Sequence, residues 1–149
     1  VKKTYAALLL GRPKGSGRPR SVRVDAALAR DPEDTRRMAV TADGRAASSV
    51  VHVHCHDRAH GVTLATVELL TGRTHQIRVH CAHLGAPLVG DTVYGDLTAD
   101  NAFRDSLSAP APPRRPMLHA WALDVPHPRS GEELSLRAPL PDDMRSVIS

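Results

Sequence analysis

Short apolar runs and alternating stretches dominate the first half of this chain, and they predict strands. "KKTYAALLLG" (2–11) stays apolar up to Leu10 and closes on Gly-Arg-Pro, so it predicts a strand and a stop. "RPKGSGRPRS" (12–21) is a basic, glycine-rich loop. "SVRVDAALA" alternates weakly, "RDPEDTRR" is charged and predicts an exposed turn, and "RMAVTADGRAASS" predicts a short strand with a turn at Asp43-Gly44. "SVVHVHCHD" and "GVTLATVELL" both alternate, and the "DRAHG" between them predicts a hairpin. Near the end, "MLHAWALDV" predicts a strand with Met117, Trp121, Leu123 and Val125 on one face and His119 among them. "PHPRSGEE" then predicts a turn and "LSLRAPL" a last short strand.

The period changes in "THQIRVHCAHLG" (74–85). Ile77, Cys81 and Leu84 recur at i, i+4 and i+7, which gives one apolar helical stripe. Thr74 is the expected N-cap, with His75, Gln76 and Ile77 in the first turn. Gly85 fits the C′ position, and Pro87 follows as a stop. "NAFRDSLSAPAPPRRP" predicts a short helix and then an exposed, proline-rich link. No internal repeat is visible. Many strands with few helices imply an α+β fold built on a mostly antiparallel or mixed sheet.

Composition narrows this picture. The chain has 149 residues, enough for one domain or a large piece of one. Apolar residues make up 41% but aromatics only 3%, so the core must be largely Val, Leu and Ala. No apolar run reaches membrane-spanning length, and no membrane association is expected. The chain opens on Val rather than Met, and "VKKTYAALLLGRP" is not a secretory signal, so we expect a chain entered partway through a longer protein. Cys55 and Cys81 give neither metal spacing nor a disulfide framework, and the expected location is cytoplasmic. The net charge is +4, and of the twenty basic residues only Lys2, Lys3 and Lys14 are lysine. Arginine's planar fork suits phosphate and carboxylate, which points to an anionic partner such as nucleic acid.

Two clusters carry candidate chemistry. "HVHCH" places His52, His54 and His56 on one strand face, which reads either as a zinc site or as a solvated face; we assign no metal. Gly72, Arg73, Thr74 and His75 lead into the helix, where free N–H groups and the helix dipole favour an anion. Capping alone does not explain Arg78, one turn inside and next to Ile77. An arginine there is expected to reach a carboxylate or a phosphate, since an unpaired buried guanidinium is costly.

"TGRTHQIRVHCAHLGAPLVGDTVYG" resembles the signature of the RluA/RluD-type pseudouridine synthases. "VKKTYAALLLGRP" resembles that family's tyrosine segment, "RDPEDTRRMAVTADGRAA" its middle strands, and "MLHAWALDVPHPRSGEELSLRAPLPDDM" its C-terminal end. The resemblance spans essentially the whole chain. It implies a largely antiparallel sheet crossed by a cleft, no cofactor, and isomerisation of uridine to pseudouridine in structured RNA, ribosomal rather than transfer RNA. It further implies Tyr5 and Arg78 as catalytic residues: the tyrosine packs on the target base, and the arginine pairs with a nucleophilic aspartate. Arg73, Thr74 and His75 would then meet the RNA backbone.

The family's aspartate sits in an "HRLD"-like motif upstream of the tyrosine segment, and nothing in this chain matches it. Asp25, Asp31, Asp34 and Asp43 lie on the other side of Tyr5. Residues 1–149 are therefore expected to be the C-terminal part of a catalytic domain whose N-terminal part carries the nucleophile and serves as partner, and to be inactive alone. An exposed sheet edge and apolar surface are expected to follow, so that the isolated chain is marginally stable, associates with itself, or needs its other half. Two alternatives stay open: a non-catalytic RNA-binding module of the same fold, and a His-rich metal-binding domain. Asp91 and Tyr94 either shape a turn beside the site or simply build a loop. Arg114 and Arg115 either touch phosphate or are solvated. His119 is expected to be a hydrogen-bonded core residue.

Overall fold

The computed structural model describes residues 1–16 and 20–148, so the basic loop expected at 12–21 lies partly outside the described residues. The strands are β1 (Lys2–Leu10), β2 (Ser21–Asp25), β3 (Leu28–Arg30), β4 (Met38–Val40), β5 (Ser48–Asp57), β6 (Val62–Leu69), β7 (Leu118–Pro126) and β8 (Glu133–Arg137). The helices are α1 (Gln76–His83), α2 (Leu97–Asp105) and α3 (Asp142–Ile148). Six strands form one antiparallel sheet in the order β2-β5-β6-β1-β7-β8, and β3 pairs with β4 separately. The fold is α+β with few helices, as the alternation implied; α3 was not foreseen.

Strand β1 is apolar without alternation because it is central and covered on both sides. Ala7 and Leu9 join Val51, Ala65 and Val67 on one face, against Ile77 and Cys81 of α1. Ala6, Leu8 and Leu10 join Val62 on the other, against Phe103 of α2 and Met144 of α3. Fully burying one such leucine is worth about 1.5–3 kcal/mol, so burial rather than local propensity fixes this strand. A third, smaller cluster packs Val79 of α1 against Leu28, Ala47 and Tyr94. The helix is thus wedged between the sheet and the β3–β4 hairpin. Among the described residues no helix is long and apolar enough to cross a membrane.

Two bulges correct the expected faces. On β5, Val53 pairs with Ala65 but Cys55 with Leu64, so His54 is the extra residue. His52 therefore opposes Thr66 while His56 opposes Thr63, and those partners point to opposite faces. The three histidines do not share a face. On the β1–β7 ladder the register slips between Thr4 and Tyr5, which pair with Ala122 and Ala120. Trp121 is the extra residue there, and its face is no longer that of Leu123. Trp121, Leu136 and Val1 are exposed, and the Arg137 guanidinium lies 5.6 Å from the Trp121 ring centroid.

Candidate active site

The turn that leads into α1 is held by one buried amide. Gln76 Oε1 accepts from the Thr71 hydroxyl at 2.7 Å and the Arg73 N–H at 3.0 Å. Gln76 Nε2 donates to the Ser48 carbonyl at 2.9 Å and the Ser49 hydroxyl at 2.8 Å. Every donor and acceptor of a buried side chain is thereby used, and the turn is fixed to β5. The relay continues inward. Ser49 Oγ lies 2.9 Å from His80 Nδ1, and His80 Nε2 lies 2.9 Å from the Ala26 carbonyl. A carbonyl only accepts, so the His80 proton sits on Nε2 and Nδ1 accepts from Ser49. Burial lowers the His80 pKa and keeps this ring neutral.

The helix does not begin at Thr74. His75 occupies the N-cap position with φ 54°, in the left-handed region, and its side chain caps nothing. Thr74 is exposed. A non-glycine residue held at positive φ is strained, and such strain persists only where surroundings impose it. Here His75 Nδ1 is 2.8 Å from the Tyr94 hydroxyl, and the two rings meet edge to face with centroids 5.6 Å apart. At the other end of α1, Gly85 adopts φ 77° and Pro87 follows, as expected.

Arg78, three residues on from His75, meets the same Tyr94 ring as His75 does. Its Nε and Nη2 each donate at 2.9 Å to Asp91, one to each carboxylate oxygen. The Asp91 side chain is 1% exposed and that of Arg78 19%. Asp91 Oδ1 also accepts the Val93 and Tyr94 N–H groups at 3.0 Å each. Burial pushes the Asp91 carboxyl up, but Arg78 and those two N–H groups outweigh it and its pKa is lowered. The same bond to Asp91 raises the Arg78 pKa. The Arg78 and Arg37 guanidinium carbons stand 5.1 and 5.2 Å from the Tyr94 ring centroid. Arg78 Nη1 has no protein partner among the described residues and is not sealed from solvent.

Asp91 reaches this position because Gly90 takes φ 81°, where a Cβ would stand 1.9 Å from the Arg115 carbonyl oxygen. Gly90 N–H donates to buried Asp100, which is itself ion-paired to Arg114. Tyr5 lies on the α1 side of the sheet and packs against the cluster that contains Ile77, the residue before Arg78. An aromatic ring, a fixed guanidinium with one free edge, and the turn that carries Arg73 thus lie on one side of the sheet. Such a set can hold an anionic group beside a flat ring.

The family model described as RNA pseudouridylate synthase matches residues 1–83, more than half of the chain. The chain belongs to the RNA pseudouridylate synthase family. It is 41% identical over 148 residues to the ribosomal large subunit pseudouridine synthase D of Nitrosomonas europaea, covering 99% of this chain and 40% of that protein. It is 38% identical over 153 residues to the protein of the same name from Escherichia coli K12, covering 99% and 44%. Among solved structures, human RNA pseudouridylate synthase domain containing 1 superposes with a TM-score of 0.71 at 31% identity, over 93% of this chain and 54% of that one. The chain spans less than half the length of these two curated relatives.

Within this pseudouridylate synthase fold, the residues singled out from sequence fall as follows. Tyr5 and Arg78 lie on the same side of the sheet, and Arg78 does have a carboxylate. Within the described residues that carboxylate is Asp91. Arg73 Nε is committed to the Ala46 carbonyl at 2.9 Å. Arg114 and Arg115 are neither free nor simply solvated: Arg115 makes a two-pronged pair with Asp143 at 2.6 and 2.8 Å. His119 Nε2–H donates to the Ala138 carbonyl at 3.0 Å, and the residue is half-buried. His52, His54 and His56 bond to Ser21, Thr66 and Thr63. No group of three metal-ligating side chains occurs among the described residues. Burial pushes the Cys81 thiol up to about 12, so it is inert. A cavity of about 280 Å³ lies on the opposite face, lined by Leu8, Val62, Leu64, Phe103 and Val147; it includes neither Tyr5 nor Arg78. Sequence reasoning missed Asp91 as the partner of Arg78 and, though it placed Gln76 in the first turn, missed its role in holding that turn.

Proposed function

We propose that the product of the whole gene is an RNA pseudouridine synthase that isomerises uridine in structured RNA, with large-subunit ribosomal RNA as its substrate. The support is family membership together with relatives named for the ribosomal large subunit. The single structural observation that carries the reading is the Arg78 guanidinium. One edge is locked on Asp91, Nη1 has no protein partner among the described residues, and α1, which carries Arg78, packs on the side of the sheet where Tyr5 lies.

In this reading a nucleophilic aspartate comes from a portion of the protein outside residues 1–149. Its carboxylate takes the free edge of Arg78 and is kept ionised by it, since a guanidinium at contact distance lowers a carboxylate pKa by roughly 1–3 units. The aspartate attacks the nucleoside and the N-glycosidic bond breaks. The freed base turns and bonds to the ribose through a ring carbon, releasing the aspartate carboxylate; that ring carbon then loses its proton and N1 gains one. Tyr5 packs on the base and assists that proton transfer. Arg73, Thr74 and His75 lie along the RNA backbone. A redox-neutral isomerisation of this kind needs no cofactor from the protein. A ribosomal RNA substrate places the enzyme in the cytoplasm.

The test is to incubate the whole-gene product with large-subunit ribosomal RNA transcript and measure pseudouridine by nucleoside chromatography. Conversion is expected from the whole product and none from residues 1–149 alone. RNA binding should weaken steeply as salt rises, because phosphate contacts release counterions. Salt-sensitive binding without conversion would instead identify a non-catalytic RNA-binding module.

A further inference from the structure

Tyr94 is not part of the chemistry described above, yet three components of the site converge on it. Its hydroxyl accepts the Met38 N–H at 2.8 Å, and the only acceptor bonded to its own proton among the described residues is His75 Nδ1, also at 2.8 Å. The guanidinium groups of Arg37 and Arg78 both lie over its ring. Its N–H donates to Asp91, the carboxylate that grips Arg78. The ring is buried, in one cluster with Val79 and Leu28. It therefore cannot rotate away without emptying the space between α1 and the β3–β4 hairpin.

We propose that Tyr94 is a positioning residue: it fixes His75 in the neutral form with the proton on Nε2, so that the site offers an open N–H donor beside the open Nη1 of Arg78. This rests on the proposed function for the meaning of the site, but not for the tautomer. His75 Nε2 has no protein partner among the described residues and is not sealed from solvent. With His75 and Arg78 both against the Tyr94 ring, the two donors suit the oxygens of an RNA phosphodiester or of the uracil carbonyl edge. The charged groups facing His75 are Arg78 on its own helix, Arg30 on β3, and Asp91 in the loop after α1. Burial, and then Arg78, lower its pKa; Asp91 opposes them and loses. A neutral donor is a different tool from a cation. It adds directional recognition without adding to the salt-dependent part of binding.

The first test needs no activity. In the whole-gene product with 15N-labelled histidine, NMR at pH 7.5 should show His75 as the Nε2–H tautomer; the Nδ1–H tautomer or a charged ring overturns the proposal. The second is kinetic. Tyr94→Phe removes only the hydroxyl. Its kcat on large-subunit ribosomal RNA should fall roughly threefold to tenfold, the worth of one hydrogen bond, with KM within about twofold. The acid limb of its pH–rate profile should move to higher pH, because the donor that favours neutral His75 is gone. His75→Gln, checked for folding alongside, should lack the contribution of His75 to that limb. A wild-type kcat with an unmoved limb in Tyr94→Phe overturns the inference, as does a change confined to KM. If the wild-type protein makes no pseudouridine, the functional reading fails and the NMR result alone decides the role of Tyr94.

Discussion

Arg78 and Asp91, thirteen positions apart in the sequence, meet edge on with two hydrogen bonds of 2.9 Å that tie α1 to the Gly90–Gly95 turn. The pair joins the helix to the loop and at the same time sets the plane of the guanidinium. Asp91→Ala should therefore destabilise the protein by about 2–3 kcal/mol, the low end for breaking a buried pair because Arg78 keeps some access to water. Asp91→Asn, which retains an oxygen for the Val93 and Tyr94 N–H groups, should cost less. Urea denaturation midpoints of the two variants check this order.

Gln76 is the cheapest place to dislodge the whole turn. Gln76→Leu keeps the volume but strands the Arg73 N–H and takes the acceptor from the Thr71 hydroxyl, while the Ser48 carbonyl keeps only its bond from Leu70. A loss of about 2–4 kcal/mol is expected from those unsatisfied groups. RNA binding should weaken as well, since Arg73 and His75 are placed by that turn. A thermal melt together with a filter-binding curve measures both; unchanged stability would show that the network is incidental.

Buried His80 makes a pH prediction. Its folded pKa lies below the ordinary value of about 6.5 that the unfolded chain keeps. Between those two values the unfolded state binds more protons, so stability from this group is full above about pH 6.5 and is lost as pH falls toward the folded pKa. His75 acts in the same direction. The lowered carboxyl of Asp91 acts separately, below its usual 3.8. Denaturation midpoints should drop between pH 7 and pH 5 in the wild type, and less so in His80→Asn relative to its own value at pH 8.

Gly90 is irreplaceable for two reasons at once, positive φ and the 1.9 Å approach of a Cβ to the Arg115 carbonyl. Gly90→Ala should cost more than the roughly 1–2 kcal/mol of the left-handed conformation alone, and it should displace Asp91. Its activity loss should exceed its stability loss when rates are corrected for folded fraction by circular dichroism.

The strands were legible because alternation and glycine or proline stops mark them: β1, the β5–β6 hairpin and the β3–β4 turn all lie where the pattern puts them. The bulges at His54 and Trp121 were not, since one inserted residue leaves the period-2 pattern looking intact while turning the later side chains over. Thr74 looks like an N-cap, but the chain enters α1 through His75 at positive φ, a conformation imposed by Tyr94 nineteen residues away. Asp91 was not foreseen as a partner of Arg78 because no periodicity links a helix to a loop aspartate; the upstream aspartate came from the family resemblance. Helix α3 escaped notice because it is short and buries chiefly Met144. The reading of Tyr5 and Arg78 came from the family resemblance; their shared side of the sheet came from the fold.

The central claim is that the Arg78 guanidinium, held on one edge by Asp91, works on the reacting nucleoside through the other. The direct measurement is single-turnover pseudouridine formation on large-subunit ribosomal RNA by the whole-gene product, wild type against Arg78→Ala, at matched folded fraction. The account predicts a loss of about a hundredfold or more, the scale of removing a preorganised charge from a reaction centre, with RNA still bound. Conversion by Arg78→Ala at the wild-type rate would contradict it.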